Sequence, residues 1–372
     1  MKLLNEVWLH TVSKFEPDVA NKLAPLFELN ENSFTSSSRE EKLLRDLGLS
    51  GEFAKKLSDP EFFNEARYII EYCTENDIRI ITQESDEYPE SLLNTALPPR
   101  LLFAKGARLN TDNEIAVSVV GCRKPTEHGK SFAHLIGKSM GESGITVVSG
   151  MAEGIDGEAH KGAISAGGKT IAVLAGSVDH IYPQCHDKLY RDILDTGGTI
   201  LSERPPKTPV RKYFYQQRNR IITGITRGTV FVEGKESSGT AITARLALDE
   251  NRDIFAVPGS PMLWQSELPN RLIEEGATIV RSAHVPVQYY REQFPDMVLQ
   301  KPAAPVSATP GTLLTEDEKI IEFLRDNGGI ANIEQIAEGI GISPNVLNGR
   351  LTILCIKSKL RQESGNRYVL AE

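Results

Sequence analysis

The chain has 372 residues, 42 Lys and Arg against 50 Asp and Glu, and a formal net charge of −8. It is too long for one typical core, so two or three domains are expected. Apolar residues make up 40% of it, with no run near the ~18 a membrane helix needs. The four cysteines are scattered without a CxxC pair, and Lys2 is followed by Glu6 and His10 before any signal-peptide core could form. These features disfavour a membrane protein, a disulfide frame and a zinc knuckle, and fit a cytoplasmic protein with reduced thiols.

Residues 1–77 read as short helices. VWLHTV, VANKLAPLFEL, REEKLLRDLGL and EFFNEARYIIEYCTEN space their apolar residues by three and four, with Gly48 and Gly51 between them. Ile78 to Gly106 then gives a strand (IRIIT), a turn, a short helix, a Pro-Pro break and a second strand over Leu101 to Ala104. From Glu114 the rhythm becomes strand, loop, helix. The strands are IAVSVV, ITVVS, TIAVLA, GTILSE, GTVFVE and DIFAVP, and ATIV closes the series. Near-continuous β-branched runs alternating with helices predict a parallel sheet covered on both faces, a doubly wound, Rossmann-like α/β domain over about 115–281.

The polar loops all follow strands, so their residues are expected at one sheet edge, where open α/β sheets bind ligands. Gly121, Arg123, Ser149, Gly150, Gly154, Asp156, Gly176, Ser202, Glu203, Glu233, Ser237, Ser238, Gly239 and Thr240 should line a crevice there. One stretch of this edge stands out. Arg204 to Arg227, RPPKTPVRKYFYQQRNRIITGITR, holds seven cations and no carboxylate, with Tyr213, Phe214 and Tyr215 among them. From Ile115 to Arg281 there are 20 Lys and Arg against 18 Asp and Glu, so the rest of the chain carries about −10. Cations beside aromatic rings suit a polyanion with exposed bases, the charges following phosphates and a ring stacking on an unpaired base. A solvated helix face with its aromatics in the core is the structural alternative.

Residues 282–311, a VPVQYYREQF segment followed by KPAAPVSATPG, read as a linker. Residues 312–372 read as three helices and a hairpin turning at Gly365-Asn366, a winged helix. Its second and third helices, joined by GIS, have helix-turn-helix spacing, and Asn345, Asn348, Arg350, Lys357 and Lys359 lie on or just after the third. Duplex DNA and protein both remain open as its ligand.

Several chemistries lack their residues. Gly168-Lys169-Thr170 precedes a strand, and a Walker loop would need glycine at Ala163. No strand is followed by GxGxxG, and His180, Cys185 and His186 fit no standard metal spacing, so no cofactor and no metal is expected.

The loops resemble the DNA processing protein A (DprA, or Smf) family. The likeness is carried by VSVVGCRKPTEHG, VVSGMAEGIDGEAHKGA, TIAVLAGSVDHIYP, ILSERPP, RNRIITG, SSGTAITA, IFAVPGS and NRLIEEGA, and extends upstream through DEYPESLLNTALPPRLLFAKG. The resemblance implies a small helical (SAM-like) domain over 1–77, an extended Rossmann-like domain over 78–281 and a winged helix over 312–372. It implies a non-enzymatic, single-stranded DNA-binding protein of natural transformation (competence), a homodimer that protects incoming DNA and loads RecA for recombination. Carried over by motif, the DNA-contacting residues are Arg123, Lys212, Tyr215, Arg218, Arg220 and Lys235, with Gly121, Ser149, Gly150, Ser237 and Gly239 in the loops. Asp156, Glu203 and Glu233 read as hydrogen-bond partners for loop amides and for the RNR arginines. The chain departs from the family at Tyr215-Gln216, where Phe-Pro is usual, at Asn251-Arg252, where Gly-Arg is usual, at His186, where asparagine is usual, and in the loop 264–270. The rival is a nucleotide phosphoribohydrolase-like enzyme of a related Rossmann family. That family's PGGxGTxxE loop places its glutamate at Thr243 here, which removes the general acid/base.

Overall fold

The computed structural model describes residues 2–14, 17–28, 55–57, 59–298, 316–326, 330–340, 344–356, 359–363 and 367–370, with 44, 46, 48 and 342 as single residues. The expected helix REEKLLRDLGL, the Gly365-Asn366 turn, the side chains of Asn345 and Lys357, and the stretch 299–311 of the expected linker lie outside the described residues. The chain divides into two compact units, Met1–Lys301 and Pro302–Glu372.

Nine strands form the sheet of the first unit: β1 (Arg79–Thr82), β2 (Leu101–Gly106), β3 (Ala116–Val120), β4 (Thr146–Ser149), β5 (Thr170–Val173), β6 (Thr199–Ser202), β7 (Gly228–Phe231), β8 (Asp253–Ala256) and β9 (Thr278–Ile279). Their order is β1-β2-β6-β5-β4-β3-β7-β8-β9. From β6 to β9 every neighbour is parallel, whereas β1 and β2 are added antiparallel at the β6 edge. The chain starts the parallel part at β3, winds outward through β4, β5 and β6, then returns to the other side of β3 with β7. The direction of winding reverses between β3 and β7, and the loops leaving these two strands diverge over a gap.

Side chains alternate across each strand, so a strand buried on both faces feeds two cores. Ala116, Val120, Val148, Ile171, Val173, Leu201 and Phe231 face a core built with the helices Phe214–Gly224, Gly239–Asp249 and Glu267–Glu274. Their neighbours Val117, Val119, Val147, Val230 and Phe255 face the helices Glu127–Glu142 and Ile155–Ser165. Asn251, with φ 54, turns the chain into β8 in a conformation that glycine favours and asparagine tolerates.

Two boundaries differ from the sequence reading. Val285–Gln293, placed in the linker, is a helix whose Tyr290 is fully buried against Phe255 and donates to Asp253 Oδ2 at 2.9 Å. The N-terminal helices Lys2–Val12, Pro17–Glu28 and Pro60–Glu75 have no core of their own. Val7, Trp8, Leu9, Val12 and Leu23 share one with Phe103 of β2, Ala172 of β5 and Ile193 and Ile200 around β6. The Lys2–Val12 helix presents an apolar face and needs the sheet to cover it.

The second unit holds the helices Glu316–Asp326, Ile333–Ile340 and Pro344–Ile356, and an antiparallel sheet in the order β10 (Ile330–Asn332), β12 (Arg367–Leu370), β11 (Leu360–Glu363). Strand β10 was not expected. Its last residue, Asn332, starts the next helix with reciprocal bonds, Gln335 N to Asn332 Oδ1 at 2.8 Å and Asn332 N to Gln335 Oε1 at 3.0 Å. Arg350 donates to Asp317 Oδ1 at 3.0 Å, while Asn348 and Lys359 are exposed.

Two buried histidines give the first unit a pH dependence. His10 (Nε2 3.0 Å from Glu203 O) and His160 (Nδ1 2.6 Å from Thr170 Oγ1) are both pushed down to about 3, chiefly by burial. Between pH 6.5 and about 3 the unfolded chain takes up protons that these folded imidazoles refuse. Stability is therefore complete above 6.5 and falls as pH drops. His10→Gln, which keeps a donor, is expected to shrink the loss between pH 7 and 5 by roughly 2 kcal/mol in urea unfolding.

Candidate functional site

The gap between the β3 and β7 loops is bridged by one carboxylate. Glu233, just after β7, accepts from Thr126 N at 2.8 Å and Thr126 Oγ1 at 2.6 Å, and its own carbonyl accepts from Cys122 N at 2.7 Å. Thr126 caps the Glu127–Glu142 helix by accepting from Gly129 N at 2.9 Å, so Glu233 also sits at a helix N-terminus, where negative charge is favoured. Gly121 begins the β3 loop where an added Cβ would lie 2.5 Å from Ile155 and 2.8 Å from Glu233 O; no side chain fits.

Beside this clamp opens a crevice of about 310 Å³. One wall is the Phe214–Gly224 helix, whose Tyr215, Arg218, Asn219 and Ile222 border it. Their spacing of i, i+3, i+4 and i+7 is one helix face. Gly121, Cys122 and Arg123 from the β3 loop, Lys235, Ser238, Gly239 and Thr240 from the β7 loop, and Trp264 after β8 complete it. A smaller cavity of about 40 Å³ adjoins, bordered by Gly150, His180, Tyr182 and again Arg123 and Tyr215.

The cations of the basic stretch are not one face. Arg218 is buried on the crevice floor and donates to Gly150 O at 2.7 Å and to Val173 O. Asp156 lies beside it and accepts from Gly150 N at 3.2 Å. Burial lowers Arg218 to about 10 against the pull of Asp156, and burial raises Asp156, so the guanidinium stays charged at neutral pH. A Cβ on Gly150 would fall 2.3 to 2.5 Å from that guanidinium, so only glycine leaves it room. Arg220, expected on a phosphate, does not border the crevice. It is buried and donates to Glu203 Oε1 at 2.5 Å. Arg204 is buried too, its guanidinium 4.1 Å over Phe214. Lys207 lies against Tyr68 and Tyr72, and Arg227 covers Phe294 at 4.5 Å. Of the seven, Lys207, Arg211 and Lys212 are exposed, Arg211 with its guanidinium 6.0 Å from the Phe214 ring. Two arginines spaced i and i+2 on a helix cannot both face one ligand, a signal present in RNR itself.

The exposed cations near the crevice come from several loops. Arg123 stacks its guanidinium 4.6 Å over the Tyr215 ring, and both border the two cavities. Lys235 is exposed at the rim of the larger one, and Lys212 is exposed three residues before Tyr215. Ser149 is fully buried, its hydroxyl donating to Val119 O at 2.6 Å, and Ser237 is exposed but borders neither cavity. Cys122, Ala152, Ile222, Thr243 and Trp264 border the crevice without having been expected there, and Trp264 is the largest of them. A tryptophan in a polar loop after a strand could have pointed to it.

Catalytic groups are poorly placed. Thr243 donates to Gly239 O at 3.2 Å and accepts from Asn219 Nδ2 at 2.9 Å, so a hydroxyl already engaged in helix packing stands where the rival family has a carboxylate. Cys122 is pushed up to about 11 by burial and by Glu233, too high for a thiolate nucleophile at neutral pH. His186 is buried against Met151 O at 3.0 Å. Among the described residues no group of His, Cys, Asp and Glu could hold a metal ion, and no helix is long and apolar enough to cross a membrane.

A doubly wound sheet with a cationic and aromatic crevice at its switch point defines a Rossmann-like α/β protein. The family model for DNA recombination-mediator protein A matches residues 79–290, and the chain belongs to that family, the DprA/Smf proteins. It is 39% identical over 223 residues to DNA processing protein DprA of Bacillus subtilis, covering 60% of this chain and 75% of that one. It is 38% identical to protein Smf of Escherichia coli, covering 54% of each. The structure of DprA from Streptococcus pneumoniae matches with a TM-score of 0.53 at 33% identity, over 65% of this chain and 88% of that one. A Helicobacter pylori DprA structure, described by its single-stranded DNA binding mode, matches with a TM-score of 0.52 at 25% identity, over 58% of this chain and 97% of that one.

The inward placement of Arg220 is testable. Glu203→Gln removes the partner of a buried guanidinium and is expected to cost about 3–5 kcal/mol in urea unfolding. A phosphate-contacting Arg220 would instead leave stability unchanged and alter strand affinity.

Proposed function

We propose that this protein binds single-stranded DNA in natural transformation, protects the incoming strand and loads RecA on it, without catalysis of its own. The observation that carries the reading is the Arg123–Tyr215 pair, a cation stacked on a ring at the mouth of the switch-point crevice. Arg123, Lys212 and Lys235 supply the exposed charge, and Tyr215 supplies a face for an unpaired base. Arg218 contributes as a fixed positive floor, its Nη1 committed to two strand-end carbonyls and its Nε to Asn219 Oδ1. Gly121, Gly150 and Gly239 let the strand's backbone approach the loops, while Ser149 and Arg220 support the site from inside. Family membership and the described binding mode of the Helicobacter pylori relative support the reading.

The remaining assignments follow from the same membership. The protein works in the cytoplasm as a homodimer, and residues 312–372 form a winged helix. Arg350, already paired with Asp317, is a weak candidate for reading duplex DNA, which favours a protein ligand for that unit. The N-terminal helices correspond to the family's SAM-like segment, docked here on the sheet. The engaged Thr243 weighs against the phosphoribohydrolase reading.

The test is fluorescence anisotropy with single-stranded and duplex oligonucleotides of equal length at two salt concentrations. Strand binding should be tighter than duplex binding and weaken with salt. Arg123→Ala with Lys212→Ala should flatten the salt slope by roughly 1.4, since each phosphate contact on a single strand contributes ~0.7. Tyr215→Ala should lose about 5- to 100-fold in affinity, and its effect should be non-additive with Arg123→Ala because the two side chains hold each other. Strand affinity unchanged in the Arg123, Lys212 double variant would sink the reading.

A further inference from the structure

The crevice has an aromatic wall that the strand site above does not use. The chain has two tryptophans. Trp8 is 1% exposed in the core, and Trp264 is 44% exposed on the loop after β8. Its neighbours Met262 and Leu263 are also exposed, at 89% and 44%. Three consecutive large apolar side chains facing water are costly on a free surface and mark a place of contact.

The loop is fixed in position. Trp264 opens a short turn, Trp264–Ser266, in which Gln265 O accepts from Gly234 N at 2.6 Å. Leu268 N donates back to Gly234 O at 3.0 Å, and Asn270 bonds both ways with the Gly259 backbone at 3.0 and 3.1 Å. Gly234 immediately precedes Lys235, so the tryptophan and the rim lysine are carried on loops tied to each other.

Tyr215 follows β6 and Trp264 follows β8, strands on opposite sides of the switch point, yet both rings border the same crevice. The start of the Gly239–Asp249 helix borders the same crevice at Gly239 and Thr240. Ser238, at its cap position, turns its hydroxyl to Lys235 O at 2.5 Å and leaves the first amides of the helix uncapped. Uncapped amides at a helix start favour a phosphate oxygen. Two rings and a helix start on one crevice supply faces for bases and donors for a phosphate. A crevice of about 310 Å³ is the size of a single small-ligand site, so an unpaired nucleotide enters and a duplex does not.

We propose that Trp264 is a second stacking platform for single-stranded DNA, holding a base on the opposite side of the crevice from Tyr215. The inference rests on the strand-binding reading and extends it to a residue of this chain's own loop. Trp8 is buried and does not border the crevice, so a DNA-dependent change in intrinsic emission, read with Trp8→Phe as background, reports on Trp264, and the experiment is a parallel titration by emission and anisotropy with oligo(dT) and with an abasic strand of the same length. Oligo(dT) should quench the emission with the midpoint seen by anisotropy, and the abasic strand should not quench it. Trp264→Ala should weaken oligo(dT) binding about 5- to 100-fold, and Trp264→Phe should restore most of it. Oligo(dT) bound by anisotropy with unchanged emission and full affinity in Trp264→Ala would overturn this inference while leaving strand binding standing. Emission that follows protein concentration and ignores DNA would also overturn it, because the ring would then be covered by a second copy. Absence of any strand binding would remove this inference together with the reading beneath it.

Discussion

The carbonyls of Gly150 and Val173 lie at the ends of β4 and β5, and both accept from the Arg218 guanidinium. A buried arginine must find acceptors for its fixed fork of donors, and strand ends at a sheet edge provide them. This contact fixes the rotation of the Phe214–Gly224 helix about its axis, because Arg218 can reach those carbonyls from one orientation only. Tyr215, Asn219 and Ile222 are then turned to the crevice by helical geometry alone. Gly150 leaves the space, Asp156 balances the charge, and the ring that Arg123 covers is held in place as a result.

The same division runs through all the cations of the basic stretch. Arg204, Arg218 and Arg220 turn inward, and of these Arg218 reaches the crevice. The cations that reach solvent near it, Arg123 and Lys235, arrive on loops from β3 and β7. A positive site in an acidic protein is thus assembled from distant segments around a scaffold that is itself cationic inside. Glu233 and Glu203 are the counterweights, one clamping the two loops and the other receiving Arg220.

The strands and their polar loops were legible because runs such as IAVSVV and GTVFVE have one physical reading, a strand buried on both faces. The loops that follow them had to meet at one edge, and Gly121, Arg123, Asp156, Ser238, Gly239 and Thr240 do border one crevice, whereas Gly150 and Gly176 border the smaller cavity and Ser149, Gly154, Ser202, Glu203, Glu233 and Ser237 border neither. What was not legible was direction. The seven cations look alike in the sequence, and whether each turns inward depends on a partner on another element, as with Arg218 and the Gly150 carbonyl or Arg220 and Glu203. Tyr290 was hidden for a similar reason. VPVQYYREQF has weak periodicity, and its burial depends on Phe255 and Asp253 across the fold. Trp264 went unread because a loop carries no pattern from which exposure can be deduced.

The docking of the N-terminal helices has a consequence for how this family is divided into parts. The family match begins at residue 79, but Trp8, Leu9 and Val12 fill the same core as Phe103, Ala172 and Ile200. The border of the family model's match therefore runs through the middle of a folding unit. A protein cut at that border would carry an uncovered apolar sheet face, and any relative that lost or exchanged its first helices would need another cover for it. The portion that the family model covers and the portion that shares one core are different pieces of this chain.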